Sequence, residues 1–275
     1  MTRQRIDEVR SRLRADALEH GLNPRDVDLL LADHVSKSVA WLYAHGDFEL
    51  DAGDVEALLA RRYAGEPLQY IRGHTEFYSR DFLVDDRVLI PRPETELLVE
   101  VVIESAPRNA RVIDIGTGSG CIAISIESER TDLHVTGVDS SAGALAVAAT
   151  NRARLDSRVS FVASDLLDAI SGTFEMIVSN PPYVPEREYE QLATEVRVHE
   201  PRMALTPGPS GTEIIERILD QSHARLAPAG RVILEVGYGQ EEAIREIAEA
   251  KRYEVESFLP DLAGIPRVVV LSPHA

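Results

Sequence analysis

The 275-residue chain holds one cysteine, Cys121, one tryptophan and only two lysines, Lys37 and Lys251, among its 29 basic residues. A single cysteine excludes an internal disulfide and fits a reducing compartment. No apolar run approaches the roughly 20 residues of a membrane span. The opening stretch, MTRQRIDEVRSRLR, lacks an apolar h-region, so it does not read as a secretory signal; Asp7 and Glu8 within a helical pattern argue against a transit peptide. These absences set the expectation of a cytoplasmic protein with no membrane partner. The eight histidines are scattered, with no H-x-x-H or Cys/His spacing, so no metal is expected. Positive charge is also short. The net charge is −17, and it is uneven: residues 1–75 hold 10 basic and 13 acidic residues (−3), and residues 76–275 hold 19 and 33 (−14). So acidic a body repels phosphate backbones and favours neutral or basic partners.

What is present is ordinary for a globular protein: 44% apolar and 27% charged residues. The length suffices for one large or two modest domains. Residues 1–73 read as a small helical bundle. Ile6, Val9, Leu13 and Ala17 recur at helical spacing, and Gly21 ends that run. Asn23-Pro24 reads as an N-cap followed by proline at N1. Two further helices are predicted over about 36–45 and 54–64. The stretch 74–90, HTEFYSRDFLVDDRVLI, is rich in aromatic and β-branched residues and predicts a β-hairpin linker. From 91 to 275 strands and helices alternate. Predicted strands are 111–115, 134–138, 159–163, 174–179, 231–236, 252–258 and 267–272. Such alternation predicts an α/β domain with a mostly parallel sheet. Only LPDLAGIP separates the last two strands, too little for a parallel crossover, so an antiparallel edge strand is expected.

Within this domain RVIDIGTGSGCIAIS is a strand, a glycine-rich turn and a helix. Gly116, Gly118 and Gly120 allow a tight bend and a close approach to bare backbone. Asp139 ends the next strand, where an acid can bind ribose hydroxyls. Asp165 ends a third strand and can accept from an amino group, with Leu166 beside it for apolar packing. Asp114, just before the loop, could face a ligand ammonium or brace the turn; both readings stay open. Cys121 reads as a small buried packer at the helix start. The spacing is G-x-G-x-G, and the third glycine of a dinucleotide loop would fall on Cys121, which counts against a nicotinamide enzyme.

The second feature is FEMIVSNPPYVPE. A core strand ends on Asn180-Pro181-Pro182-Tyr183, where two prolines stop any ladder and fix the backbone. The glycine loop with Asp139 resembles a class I S-adenosylmethionine-dependent methyltransferase, and NPPY resembles the amino-methyltransferases. EPLQYIRGHTEFY (66–78), LIPRPETELLVE (89–100) and EVRVHEPRMAL (195–205) narrow the resemblance to the release factor glutamine methyltransferases, the PrmC or HemK family, from about residue 60 onward. The resemblance implies a Rossmann-like class I methyltransferase domain with a seven-stranded sheet. It implies methyl transfer to the amide nitrogen of the glutamine in the Gly-Gly-Gln loop of class I peptide chain release factors. It implies cofactor contacts at Gly116, Thr117, Gly118, Ser119, Gly120, Asp139, Asp165, Leu166 and Asn180. Some members carry an aromatic residue at the place of Leu166, so an apolar contact is the expectation there. Asn180, Pro181, Pro182 and Tyr183 would hold the substrate, with Asn180 and Pro181 catalytic.

An amide nitrogen is a poor nucleophile and needs placement more than a strong base. The Asn180 side-chain oxygen and the Pro181 carbonyl can accept its two hydrogens, and the Tyr183 ring can pack on the amide plane. Arg92, Glu94 or Thr95 of PRPETE are candidates for a wall near the methyl. Arg197, Glu200 and Pro201 are candidates for the mouth, and His199 is expected at the surface. The rival reading is an N6-adenine nucleic-acid methyltransferase, which also uses an Asn/Asp-Pro-Pro-aromatic corner. The charge of −17 and the lack of a basic patch oppose it. A monomer that binds no nucleic acid is the expectation.

Overall fold

The computed structural model describes residues 3–274, and these divide into two units. The first comprises the chain up to Gly73 together with Thr194–His199. A two-residue ribbon pairs β1 (Gln4–Arg5) with β2 (Glu49–Leu50). Around it lie α1 (Ile6–Glu19), α2 (Pro24–His34), α3 (Val39–Ala44), α4 (Gly53–Tyr63) and α5 (Leu68–Arg72). The stripe Ile6, Val9, Leu13 and Ala17 is buried against Val27, Leu30, Leu31, Leu42, Val55 and Leu59, as helical spacing dictates. Asn23 caps α2 by accepting from the Arg25 N–H at 3.0 Å, with Pro24 at the first helical position. Ser38 caps α3 at 3.1 Å, so that helix starts at Val39, later than apolar spacing alone suggested. The α5 helix was not anticipated; five residues are too few to establish a period. Buried Asp28 accepts from Arg10 Nε at 2.7 Å and from Arg14, and Arg62 joins Asp26 (3.0 Å) to Glu195 (2.8 Å).

The second unit begins with the hairpin β3 (His74–Phe77) and β4 (Arg80–Leu83). Tyr78 and Ser79 at its turn have φ of 49° and 60°, the left-handed pair that suits strand twist. Pairing stops at Leu83, short of the expected 90. Beyond it the Asp85 side chain accepts from the Arg87 backbone N–H and the Asp85 carbonyl accepts from the Val88 N–H, a turn that takes the backbone out of strand geometry. After a 3-10 turn at Pro93–Thr95 come α6 (Glu96–Ser105), β5 (Arg111–Ile115), α7 (Cys121–Glu129), β6 (His134–Asp139), α8 (Ala142–Arg154), β7 (Ser160–Ala163) and β8 (Phe174–Ser179). Then follow α9 (Glu186–Tyr189), α10 (Thr194–His199, in the first unit), α11 (Glu213–Ser222), β9 (Leu226–Glu235), α12 (Glu241–Ala250), β10 (Tyr253–Pro260) and β11 (Pro266–Pro273).

Seven strands form one sheet in the order β10-β11-β9-β8-β5-β6-β7. The run from β9 to β7 is parallel. Antiparallel pairing is confined to the other edge, where β11 lies between β10 and β9 and runs against both. Strand residues alternate between two buried layers: Val112, Met176 and Val178 face one, and Ile113, Ile177 and Leu234 face the other. Chain order reverses at β5, so the carboxyl ends of β5 and β8 open a crevice at the switch point, where open α/β sheets bind ligands. Among the described residues no helix is long and apolar enough to cross a membrane, and no group of His, Cys, Asp or Glu could hold a metal ion.

Candidate active site

The crevice holds a cavity of about 360 Å³. Gly116, Gly118, Asp139, Asp165, Leu166, Asn180, Pro181 and Pro182 all line it. Residues as far apart in the chain as Gly116 and Pro182 thus share one wall system because β5, β6, β7 and β8 all end on this side.

The loop after β5 turns on three left-handed glycines, with φ of 70° at Gly116, 55° at Gly118 and 81° at Gly120. A Cβ at Gly116 would meet open space, so the bare backbone faces the cavity there. Asp139 braces the loop from the next strand: one carboxylate oxygen accepts from the Gly118 N–H (2.9 Å), the other from the Ser141 N–H (2.8 Å). Thr117, Ser119 and Gly120 lie outside the cavity wall. The Thr117 hydroxyl donates to Asp114 at 2.6 Å, and the Ser119 carbonyl accepts from Asn151 Nδ2 at 2.9 Å. Asp114 is fully buried, and burial pushes its carboxyl up to about 7, with Asp139 adding to the rise. Its geometry is that of a loop brace; it does not line the cavity. Cys121 is buried, and burial pushes its thiol up to about 12, which leaves it an inert packer.

At the far end Asp165 pairs with Arg217 at 2.8 Å, and both line the cavity. Leu166 follows with φ 49°, a conformation an ordinary side chain adopts only when its surroundings impose it. Val88, Leu89, Ile214 and Met203 supply apolar wall, and Pro201 lines the cavity with them. Glu200 does something else. It is buried, accepts from Arg92 at 2.5 Å and from the Ile90 N–H at 3.1 Å, and so ties the segment after NPPY to the PRPETE wall. Arg197 and His199 fall in the helical unit and are not among the residues that line the cavity.

The corner itself splits. Asn180 to Pro182 face the cavity, but Tyr183 lines a separate groove with Val184, Leu192, Gly237 and Tyr238. The Tyr183 hydroxyl lies 3.3 Å from Glu235 Oε1, and burial raises its pKa, with the Glu235 charge adding to that. Asn180 Nδ2 lies 3.0 Å from Thr95 Oγ1, and the Thr95 hydroxyl donates to Glu235 Oε2 at 2.6 Å. Glu94 does not line the cavity. Sequence reasoning missed Glu235 and Asn151. A signal existed for the first: Glu235 closes an apolar strand at its carboxyl end, as Asp139 does. Asn151 sits mid-helix, and nothing local distinguishes it from a surface residue. In fact it is wholly buried and holds Leu83 N–H (2.7 Å), Leu83 carbonyl (3.0 Å) and the glycine loop together.

A glycine loop, a strand-end acid and an Asn-Pro-Pro corner around one crevice of a mostly parallel seven-stranded sheet define a Rossmann-like methyltransferase. Residues 93–211 match the family model of the methyltransferase small domain, and residues 6–73 match that of the PrmC N-terminal domain. A methyltransferase from Pyrococcus furiosus superposes with a TM-score of 0.57 at 18% identity, over 81% of this chain and 99% of that one. The release factor glutamine methyltransferase of Koribacter versatilis is 46% identical over 256 residues, 90% of this chain and 91% of that protein. Those of Nitratidesulfovibrio vulgaris and Bordetella pertussis are 40% and 42% identical, over 91% and 89% of this chain and 84% and 93% of theirs. The chain belongs to the release factor glutamine methyltransferase family.

Proposed function

We propose that this protein transfers the methyl group of S-adenosylmethionine to the side-chain amide nitrogen of the glutamine in the Gly-Gly-Gln motif of class I peptide chain release factors. The observation that carries the reading is the single cavity lined at once by the glycine loop with Asp139 and by Asn180 to Pro182. The residues present suit the cofactor. Open space at Gly116 admits a ligand against bare backbone; the Asp139 and Asp165 carboxylates can accept from hydroxyl and amino groups; Leu166, Val88 and Ile214 can flank a flat ring.

When bound, S-adenosylmethionine supplies an electrophilic methyl carried on a sulfonium. The chain's own residues do the placing. The Asn180 side-chain oxygen and the Pro181 carbonyl can each accept one amide hydrogen, which aims the nitrogen lone pair and favours positive charge on it during attack. Once the nitrogen carries the methyl group, its surplus hydrogen would stay held at the Asn180 oxygen or the Pro181 carbonyl until water takes the proton. Rigid prolines keep both acceptors aimed before the substrate arrives. Residues 1–73 act as a helical domain, the hairpin at 74–83 and the turn after it lead into the catalytic domain, and the protein works as a cytoplasmic monomer. The net charge of −17 supports a basic protein partner over nucleic acid, which disfavours the N6-adenine reading.

The test is mass spectrometry of a purified release factor after incubation with the enzyme and S-adenosylmethionine. One methyl on the Gly-Gly-Gln peptide is expected. An unmodified peptide, or methylated adenine in a duplex added in parallel, would overturn the reading.

A further inference from the structure

Two buried residues outside the cavity wall act on Asn180. Thr95 and Glu235 are 2% and 1% exposed, and neither lines the cavity. The Thr95 hydroxyl carries a single hydrogen. With Glu235 ionised, as at pH 8, that hydrogen is spent on Glu235 Oε2 at 2.6 Å, so toward Asn180 the Thr95 oxygen can only accept. The Asn180 atom 3.0 Å from it must therefore be the NH2 group. Rotating the carboxamide by half a turn would set Oδ1 against the lone pairs of Thr95 and leave that buried hydroxyl oxygen without the donor it has now. We propose that Thr95 and Glu235 are positioning residues that lock the Asn180 carboxamide with Oδ1 toward the cavity, where it accepts from the incoming amide.

The strand register explains why Glu235 can do this. Ser179 of β8 lies opposite Leu234 of β9, so Asn180 and Glu235 form the next step at the ends of two adjacent parallel strands. The second oxygen of the same carboxylate receives the Tyr183 hydroxyl at 3.3 Å. One buried acid thus holds both ends of the 180–183 corner. The role rests on the reading above, in which Asn180 receives the substrate amide.

The experiment is a set of single-turnover rates with a Gly-Gly-Gln release factor at pH 8, beside cofactor affinities. Thr95→Val should lower the rate about tenfold, the scale of a mis-set positioning group, with cofactor affinity changed less than about twofold. Thr95→Ser keeps the hydroxyl and should restore most of the rate. Glu235→Gln frees the hydroxyl to turn and should lower it several-fold. In an Asn180→Asp background there is no NH2 to orient, so Thr95→Val should then cost less than about threefold, a coupling that neighbours in one network show. Equal loss in both backgrounds, or a fully active Thr95→Val, overturns the proposal. A second readout needs no activity. In 15N-labelled protein the Asn180 side-chain amide signals, identified by their loss in Asn180→Asp, should exchange slowly with deuterium, and faster in Thr95→Val. Fast exchange in the unsubstituted protein overturns the orientation. A wild-type enzyme that leaves the glutamine unmethylated overturns the functional reading alone.

Discussion

In the proposed mechanism Asn180 acts through geometry, so its replacement should separate chemistry from folding. Asn180→Ala should keep its melting temperature and most cofactor affinity, yet lose methyl transfer by about 10²-fold or more, as when a key aligning group is removed. Asn180→Asp retains an acceptor and should keep more activity than alanine. Rates, melting curves and cofactor titrations on the three proteins decide it; parallel loss of stability and rate would instead mark a turn residue. Asp139 is a different case, because its carboxylate already holds two backbone N–H groups, of Gly118 and Ser141. Asp139→Ala should weaken S-adenosylmethionine binding by about 1–3 kcal/mol through lost charge-assisted bonds and a loosened loop. Calorimetry reads this directly, and unchanged affinity in a folded variant would remove Asp139 from the site. These residues were legible in the sequence because each follows a strand or breaks one. Thr95 and Asn151 were harder, since their partners lie 140 and 68 positions away in the chain, at Glu235 and Leu83.

At the scale of elements, the glycine loop depends on what packs behind it. Gly137, inside β6, is surrounded: a Cβ there would come within 2.7 Å of both the Phe161 ring and the Thr117 hydroxyl. The Gly137→Ala substitution should therefore destabilise the protein by about 1–3 kcal/mol through overpacking, despite alanine's better backbone propensity. Adding Phe161→Leu should recover part of the loss; strictly additive midpoints in denaturant would refute the clash. Element types were largely readable, since apolar runs of five or six bounded by Gly, Pro and Asp leave few alternatives to a buried strand. Element ends were less so. The hairpin's early stop at Leu83 and the late start of α3 at Val39 follow from Asp85 and Ser38 bonding to nearby backbone, a local competition that hydrophobic pattern does not register.

For the molecule as a whole, charge and proton binding give two expectations. Residues 76–275 carry −14, so association with a basic release factor should slow as salt rises, chiefly in the on-rate. Stopped-flow rates flat between low and high salt would exclude steering. Proton binding acts on stability. Asp114 and Glu235 are both raised to about 7, in each case first by burial, so each binds its proton more tightly folded than unfolded. Their contribution is full below the ordinary carboxylate range and is lost as pH climbs toward 7, beyond which the buried charges oppose folding. Carboxylates held low by arginine, such as Asp85 and Glu127, lose their contribution only on acidification, below this window. Denaturant midpoints should therefore fall from pH 5 to pH 8, and Glu235→Gln should flatten that fall; an identical slope in the variant would refute Glu235 as a source.

The sequence by itself determined the α/β class, the glycine loop, the acid at the end of β6 and the Asn-Pro-Pro corner, because each is a local event: a period, a bend or a broken ladder written in consecutive residues. Tertiary structure decided which of these share a cavity. It left Tyr183 in a neighbouring groove, turned Glu200 inward to tie two segments of wall, and set Glu235 beside Asn180 by way of Thr95. The physical reason is register. Parallel strands far apart in the chain end side by side only once the sheet has formed, and only then can a buried carboxylate on one strand orient an amide on the next.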